Sequence, residues 1–266
     1  MRELWYLFLF QPILNALIFL YQVLFNNLGL AIIALTIIIR SLLIPLTLPS
    51  LKAVQKMKEL APELEKLKEK YKNDRQQFAK AQLELYRQKG INPAAGCLPQ
   101  IIQLIILIAL YQAFAKVLVQ DGDIIEKINQ VLYPFLRLSS ETVINTRFLY
   151  LDLAKPDVFY LPDLKLPLPG FLLLSAALIQ FVSSKIMQPT VKKASEEAKE
   201  TSGIEDDLTV AMQKQMLYLF PLMTIFIGYS FPSGLVLYWF VFSLFTLIQQ
   251  ILMIKLSEKR NEFRRK

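Results

Sequence analysis

The sequence predicts an all-α polytopic membrane protein: a five-helix transmembrane core, an N-terminal interfacial helix and a cytoplasmic helical hairpin. Three observations carry that reading. Asp, Glu, Lys and Arg are absent from residues 4–39, 90–115, 166–184 and 215–254, runs of 36, 26, 19 and 40 residues; a span needs about 20 predominantly apolar residues. The chain is 54% hydrophobic and 20% charged, with a mean hydropathy of +0.39, where a soluble domain has roughly 45–50% apolar and 25% charged residues. Most of the basic residues gather between the runs and at the C-terminus, the pattern that sets topology.

The elements follow in chain order. Within 1–28, segment 4–25 is apolar but interrupted by Gln11, Pro12, Asn15 and Gln22, which favours an amphipathic helix lying in the membrane interface over a span. Asn26-Asn27-Leu28-Gly29 is a turn signal, and 29–50 is the first span. Region 51–90 is the helical hairpin. Leu60, Leu64, Leu67 and Tyr71 share one helix face, with Pro62 expected to end or kink that helix locally. Asp74 and Gln77 have capping-box spacing before a second helix striped by Leu83 and Tyr86, which ends at Gly90. Spans at 95–116 and 169–188 flank an extracytoplasmic loop, 117–168. A cytoplasmic loop, 189–212, leads to spans 213–230 and 233–254, split at Ser230-Phe231-Pro232-Ser233-Gly234, and 255–266 is a basic tail.

Lys and Arg counts orient the chain. Loop 51–90 has eleven and the tail has six, against five in 120–166. The hairpin and the C-terminus are therefore expected in the cytoplasm, and the N-terminus outside if 4–25 lies along the surface. The net charge of +8 mostly reports this asymmetry.

Composition excludes several chemistries. With no His and one Cys, Cys97, there is no His general base, His-ligated zinc, internal disulfide or CxxC motif. Cys97 stands near Gly96 and Pro99 with no base, so packing or a turn is its expected role. No GxxxxGK[ST] segment is present. The expectation is a non-enzyme without a cofactor.

Arg40 is the informative residue. It falls near the middle of the first span, where an Arg costs about 2.5–3.5 kcal/mol on insertion scales, and no Asp or Glu occupies any other span. Thr36 shares its helix face. Gln100, Gln103 and Tyr111 stripe the second span, Gln180 and Ser184 the third, and Trp239, Ser243, Thr246 and Gln250 the last. Any one stripe is ordinary interhelical hydrogen bonding. Four stripes with an unpaired Arg favour a hydrated groove formed by Arg40, Thr36, Gln100, Gln103, Gln180, Ser184, Trp239, Ser243 and Gln250. A competing reading is a small anion transporter or channel with Arg40 as the anion site, although the internal repeat common in transporters is not visible.

LTIIIRSLLIPLT, NPAAGCLPQIIQLIILIALYQAF and FPSGLVLYWFVFSLFTLIQQ, in that order, resemble the core motifs of the YidC family of membrane protein insertases. The resemblance covers roughly residues 5–255. It implies that Arg40 matches the family's groove arginine, that Thr36 and Trp239 match substrate-facing positions, and that 51–90 matches the cytoplasmic region needed for activity. It implies nascent membrane proteins and the lipid bilayer as partners, with the ribosome, the signal recognition particle pathway and the Sec translocon as further candidates, and a functional monomer in the bacterial inner membrane. Without a large extracytoplasmic domain, an additional N-terminal anchor or a lipoprotein Cys, the sequence looks like a minimal bacterial form.

Overall fold

A computed structural model of the chain describes residues 2–71, 74–92, 98–118, 124–160, 167–187 and 217–265. The protein is predominantly helical. Helix α1 runs over Glu3–Val23 with a π-helical stretch at Tyr6–Phe10. Pro12, which has no N–H to return to Phe8, lies two residues beyond the end of that stretch. The chain turns through Phe25 and Asn26, both left-handed (φ 57° and 53°). The Asn27 side chain then accepts from the Leu30 N–H at 3.0 Å, satisfying an otherwise orphan donor at the start of α2, Leu28–Leu42.

Helix α2 does not continue to residue 50. It stops at Leu43, and α3, Ile44–Glu59, leaves at 64°. Pro45 explains the break, since it has no N–H for the Ser41 carbonyl and its ring would clash there. Helices α4, Ala61–Lys70, and α5, Arg75–Gln88, form a hairpin. Leu60, Tyr86 and Ile91 make its small core, with Met57, Leu64 and Leu85 packed around them. Lys89 pairs with Glu63 at 2.8 Å, and Asp74 caps α5 by accepting from the Gln77 N–H. Pro62 lies in the first turn of α4, where its missing N–H is tolerated, and the helix is interrupted just before it, between Glu59 and Ala61.

Helix α6 is Leu98–Leu118. After it come α7, Ile124–Asn129, a 3-10 turn at Pro134–Leu136, and two antiparallel ribbons. One pairs β1, Arg147–Phe148, with β2, Leu151–Asp152; the other pairs β3, Val158–Tyr160, with β4, Pro167–Pro169. These short strands depart from an otherwise all-helical reading. Helices α8, Phe171–Met187, α9, Leu217–Gly228, and α10, Ser233–Arg265, complete the chain.

Among the described residues, Glu3–Val23 and Ser233–Leu256 are each long and apolar enough to cross a bilayer, and the bent pair Leu28–Leu42 with Ile44–Met57 is a third candidate. Ile102–Phe114, Phe171–Ile186 and Leu217–Gly228 are shorter apolar helices. Several apolar helices packed on one another make this a polytopic membrane protein. Helix α10 is the hub, packing along α8 and against α2 and α6.

Segment 124–160, with β4, closes one end of the bundle by capping helix starts. The Asp157 carboxylate, buried itself, accepts from the Leu173 N–H at 2.9 Å, and the Asp157 carbonyl accepts from Gly170 N–H. Tyr150 Oη accepts from Leu172 N–H at 2.8 Å. Two orphan donors at the start of α8 are thereby satisfied. Gly170 is needed here, because a Cβ would collide with the Asp157 carboxyl. The start of α10 is held likewise: Ser233 N–H donates to the Lys155 carbonyl, Gly234 N–H to the Leu153 carbonyl, and Ser233 Oγ to the Asp152 carbonyl. At the start of α2, the Phe148 ring occupies the space a Cβ on Gly29 would fill.

Helix α1 lies against this same end. Trp5 Nε1 donates to Gln112 in the last two turns of α6. Asn15 donates to the Val131 carbonyl and accepts from Tyr133 N–H, and Tyr21 Oη accepts from Asn145 N–H. The polar interruptions of the apolar segment thus go to the 124–146 backbone.

Candidate functional site

Arg40 sits in the last turn of α2, three residues before the bend. The sequence places it mid-span; the fold places it at a helix end. There the unpaired carbonyls carry partial negative charge, which favours a cation. The side chain is only 8% exposed. Nη2 donates to Thr246 Oγ1 at 2.7 Å and to Gln249 Oε1 at 3.5 Å. The guanidinium carbon lies 4.3 Å from the Phe242 ring centre and 5.4 Å from that of Phe245. Desolvated cation–π contacts of this kind contribute about 2 kcal/mol. Every one of these partners is neutral, no carboxylate pairs with the guanidinium among the described residues, and the buried Nε has no hydrogen-bond partner among them.

A polar chain runs from Arg40 around the bend. Gln249 accepts from Arg40 and donates through Nε2 to Thr47 Oγ1 at 3.3 Å. Thr47 Oγ1 lies 3.0 Å from the Leu43 carbonyl and 3.2 Å from the Ile44 carbonyl, so its hydroxyl can donate to these bend-exposed groups. One residue of α10 therefore joins the end of α2 to the start of α3. Such bonds within a membrane bundle contribute about 0.6 to 2 kcal/mol each.

The other sequence-predicted residues fall elsewhere in the bundle. Thr36 is buried and donates to the carbonyl of Ile32 on its own helix at 2.7 Å. Gln103 Nε2 donates to the buried Tyr238 hydroxyl, joining α6 to α10. Gln180 accepts from Thr224 Oγ1 at 2.7 Å, joining α8 to α9. Gln250 accepts from Ser183 Oγ at 2.8 Å, joining α8 to α10. Ser184 is half-buried beside Ser183, and Ser243 is buried on α10. Trp239 is half-buried, edge-on to Phe231. Gln100 is on α6, with its side chain outside the described residues, as is Cys97. No hydrogen bond among the described residues joins Arg40 to any of these positions.

The residues that do meet Arg40 are Phe242, Phe245, Thr246 and Gln249. Their spacing, i, i+3, i+4, i+7, is one helix face. The polar stripe Trp239–Ser243–Thr246–Gln250 shares Thr246 with that face and is displaced from it by one residue at Ser243 and Gln250. The readable signal is the Gln249-Gln250 pair: neighbours on a helix point about 100° apart, so the two amides must serve two different helices. Gln249 turns to α2 and α3, and Gln250 to α8.

Residues 19–261 match the 60Kd inner membrane protein family. The chain is 36% identical over 230 residues to the membrane protein insertase YidC of Fusobacterium nucleatum, covering 86% of this chain and 87% of that one. The chain belongs to the YidC family. It is also 33% identical over 237 residues to membrane protein insertase YidC 1 of Bacillus anthracis, covering 87% and 74% of the two chains. With the YidC of Haemophilus ducreyi the identity is 31% over 262 residues, 98% of this chain but 40% of that protein. Arg40 and the α10 face that holds it both lie inside the matched region, so the buried cation and its neutral partners belong to the part of the chain that corresponds to the YidC relatives.

Proposed function

We propose that this chain is a membrane protein insertase that takes nascent membrane proteins into the bilayer, with Arg40 as the charge that first engages the substrate's polar tail. The carrying observation is a buried guanidinium held by neutral groups alone, with Nε unpaired among the described residues. A cation meant only for stability would be expected beside a carboxylate, because an unpaired buried charge is costly. An incoming acidic group can replace Thr246 and Gln249 and satisfy Nε as well. At an effective dielectric of about 20, opposite charges 4 Å apart attract by about 4 kcal/mol before desolvation. The polar tail is the main barrier to insertion, since charged groups are costly in hydrocarbon. Once the tail is drawn in, burial of the substrate's apolar segment in lipid drives completion.

In this reading five spans form the core, with α2 and the start of α3 making one bent span. The 51–90 hairpin and the C-terminus face the cytoplasm, the 117–168 loop lies outside, and α1 lies on the outer membrane surface. Support for the α1 placement comes from its contacts: its two ends meet the last turns of α6 and the start of α2, at the end of the bundle closed by 124–160. Thr36, Gln100, Gln103, Gln180, Ser184, Trp239, Ser243 and Gln250 are proposed to line the path from Arg40 once the α10 face moves away. The ribosome, the signal recognition particle pathway and the Sec translocon are proposed partners of the basic hairpin and tail.

The test is complementation in cells depleted of their own insertase. Arg40→Ala should lose growth and substrate insertion, and Arg40→Lys should recover much of both, because charge rather than the guanidinium fork is what the tail meets. Full activity of Arg40→Ala at wild-type protein levels would refute the proposal.

A further inference from the structure

A second polar feature lies well away from Arg40 along the chain, where the left-handed turn after α1 faces the segment following the 3-10 turn. A cavity of about 410 Å3 opens there. Its polar lining is Gln22, Asn26, Arg137, Ser139, Thr142 and Asn145, and no Asp or Glu is among its lining residues. Arg137 makes no hydrogen bond or ion pair among the described residues. Gln22 and Asn145 are partly engaged with backbone, Gln22 Nε2 with the Leu136 carbonyl at 3.4 Å and Asn145 Oδ1 with Arg147 N–H at 3.0 Å. That leaves Arg137, the amide N–H groups of Asn26 and Asn145 and the two hydroxyls as donors lining a space with one positive charge. The start of α2, two residues beyond Asn26, adds a helix N-terminus of the same polarity.

The cavity's edge is apolar. Phe25 and Val143 also line it, and they are 88% and 85% exposed. Phe25 reaches that position through a left-handed backbone, an uncommon conformation for a bulky residue. Strained positions of this kind are kept where they serve a site. Phe19 and Val23 of α1 and Leu30 of α2 are also exposed on the helices that meet here. A donor-rich pocket beside an apolar edge, at the end of two apolar helices, matches a ligand with an anionic head and an apolar body. A single Arg matches one negative charge, and a guanidinium can grip phosphate oxygens in pairs. A free phosphate, carrying closer to two charges, would have no use for the apolar edge.

We infer that this cavity binds the phosphodiester headgroup of an anionic phospholipid, with Arg137 as its charge partner, Asn26, Ser139 and Thr142 as neutral donors, and Phe25 and Val143 against the upper part of the lipid. The site would fasten the α1–α2 corner to the outer leaflet. It is independent of the role proposed for Arg40.

The experiment is native mass spectrometry of the full chain released from nanodiscs containing phosphatidylglycerol and phosphatidylcholine in equal amounts. Wild type should retain phosphatidylglycerol preferentially. Arg137→Gln should weaken that retention about tenfold, the loss of one charge-assisted hydrogen bond, and Arg137→Lys should keep most of it. Asn26→Gly, which preserves the left-handed backbone and removes only the amide, should give a smaller loss and guards against a folding artefact. Equal retention by wild type and Arg137→Gln overturns the assignment, as does equal retention of the two lipids. Displacement of the lipid by inorganic phosphate at matching concentration overturns the lipid part and makes this a free-anion site.

Discussion

Two carriers of charge are buried at different parts of the molecule, and their surroundings are opposite in kind. Asp157, 4% exposed, is enclosed by donors: the Leu173 N–H at the start of α8 and, at 3.5 Å, the Tyr150 hydroxyl. A helix start and a carboxylate complete each other, and both donors meet the same oxygen, Oδ2. Arg40, 8% exposed, also sits at the helix end that suits its sign, but its other partners are two neutral oxygens and two aromatic rings, and Nε is unpaired among the described residues. On the function proposed above, the contrast separates a charge that builds the fold from one held ready for a partner.

The sharpest way to break that contrast is at Asp157. Asp157→Ala strands the Leu173 N–H and removes a partner of Tyr150, and should destabilise the protein by about 2–3 kcal/mol. Unfolding followed in detergent or bicelles would read this. Arg40→Ala should lose insertion with a much smaller change in stability. If Asp157→Ala is neutral and Arg40→Ala unfolds the protein, the two roles have been assigned the wrong way round.

A smaller effect is expected in the links between α8 and α10. Ser183→Ala and Gln250→Leu, combined in a double-mutant cycle, should show a coupling of about 0.6 kcal/mol in unfolding free energy. A coupling of zero would remove the Ser183–Gln250 bond from the forces that hold α8 against the hub. The smallest effect concerns Asp152 beside the closed end. Burial pushes its carboxyl up, but hydrogen bonds from Thr146 and the Ala154 N–H and the contact with Lys155 outweigh that and hold it below the ordinary Asp value. A lowered folded-state value means the contribution is present at neutral pH and is lost as pH falls through the folded value. Asp152→Asn should therefore lower stability slightly near neutrality and flatten the acid limb of a pH–stability curve; an unchanged acid limb would contradict this.

The membrane class was legible in the sequence because a soluble core does not need charge-free runs of 26 to 40 residues, whereas a bilayer span does. Arg40 was legible for the same reason, as the lone charge between two apolar stretches. The Asp74 cap was legible too, since its spacing to Gln77 is local. What stayed hidden depends on direction. Pro45 marks where α2 must stop, yet a proline alone does not give the 64° turn. The helix face of α10 that meets Arg40 is fixed by how α10 rotates against α2, and that rotation chooses Gln249 over its neighbour. The capping role of 124–160 rests on backbone groups brought together from distant positions, such as Ser233 with Lys155 and Asp157 with Leu173, and no local spacing encodes those pairs.

The most direct measurement is the coupling between Arg40 and the charge on a substrate's tail. Purified wild type and Arg40→Ala in proteoliposomes would each be given one single-span substrate, with either two Asp or two Asn in its translocated tail. The expected result is a loss of about tenfold in acidic-tail insertion with Arg40→Ala, equivalent to about 1.4 kcal/mol, and little change for the neutral tail. An equal loss for both tails would contradict the view that Arg40 is held among neutral partners in order to meet an anionic one.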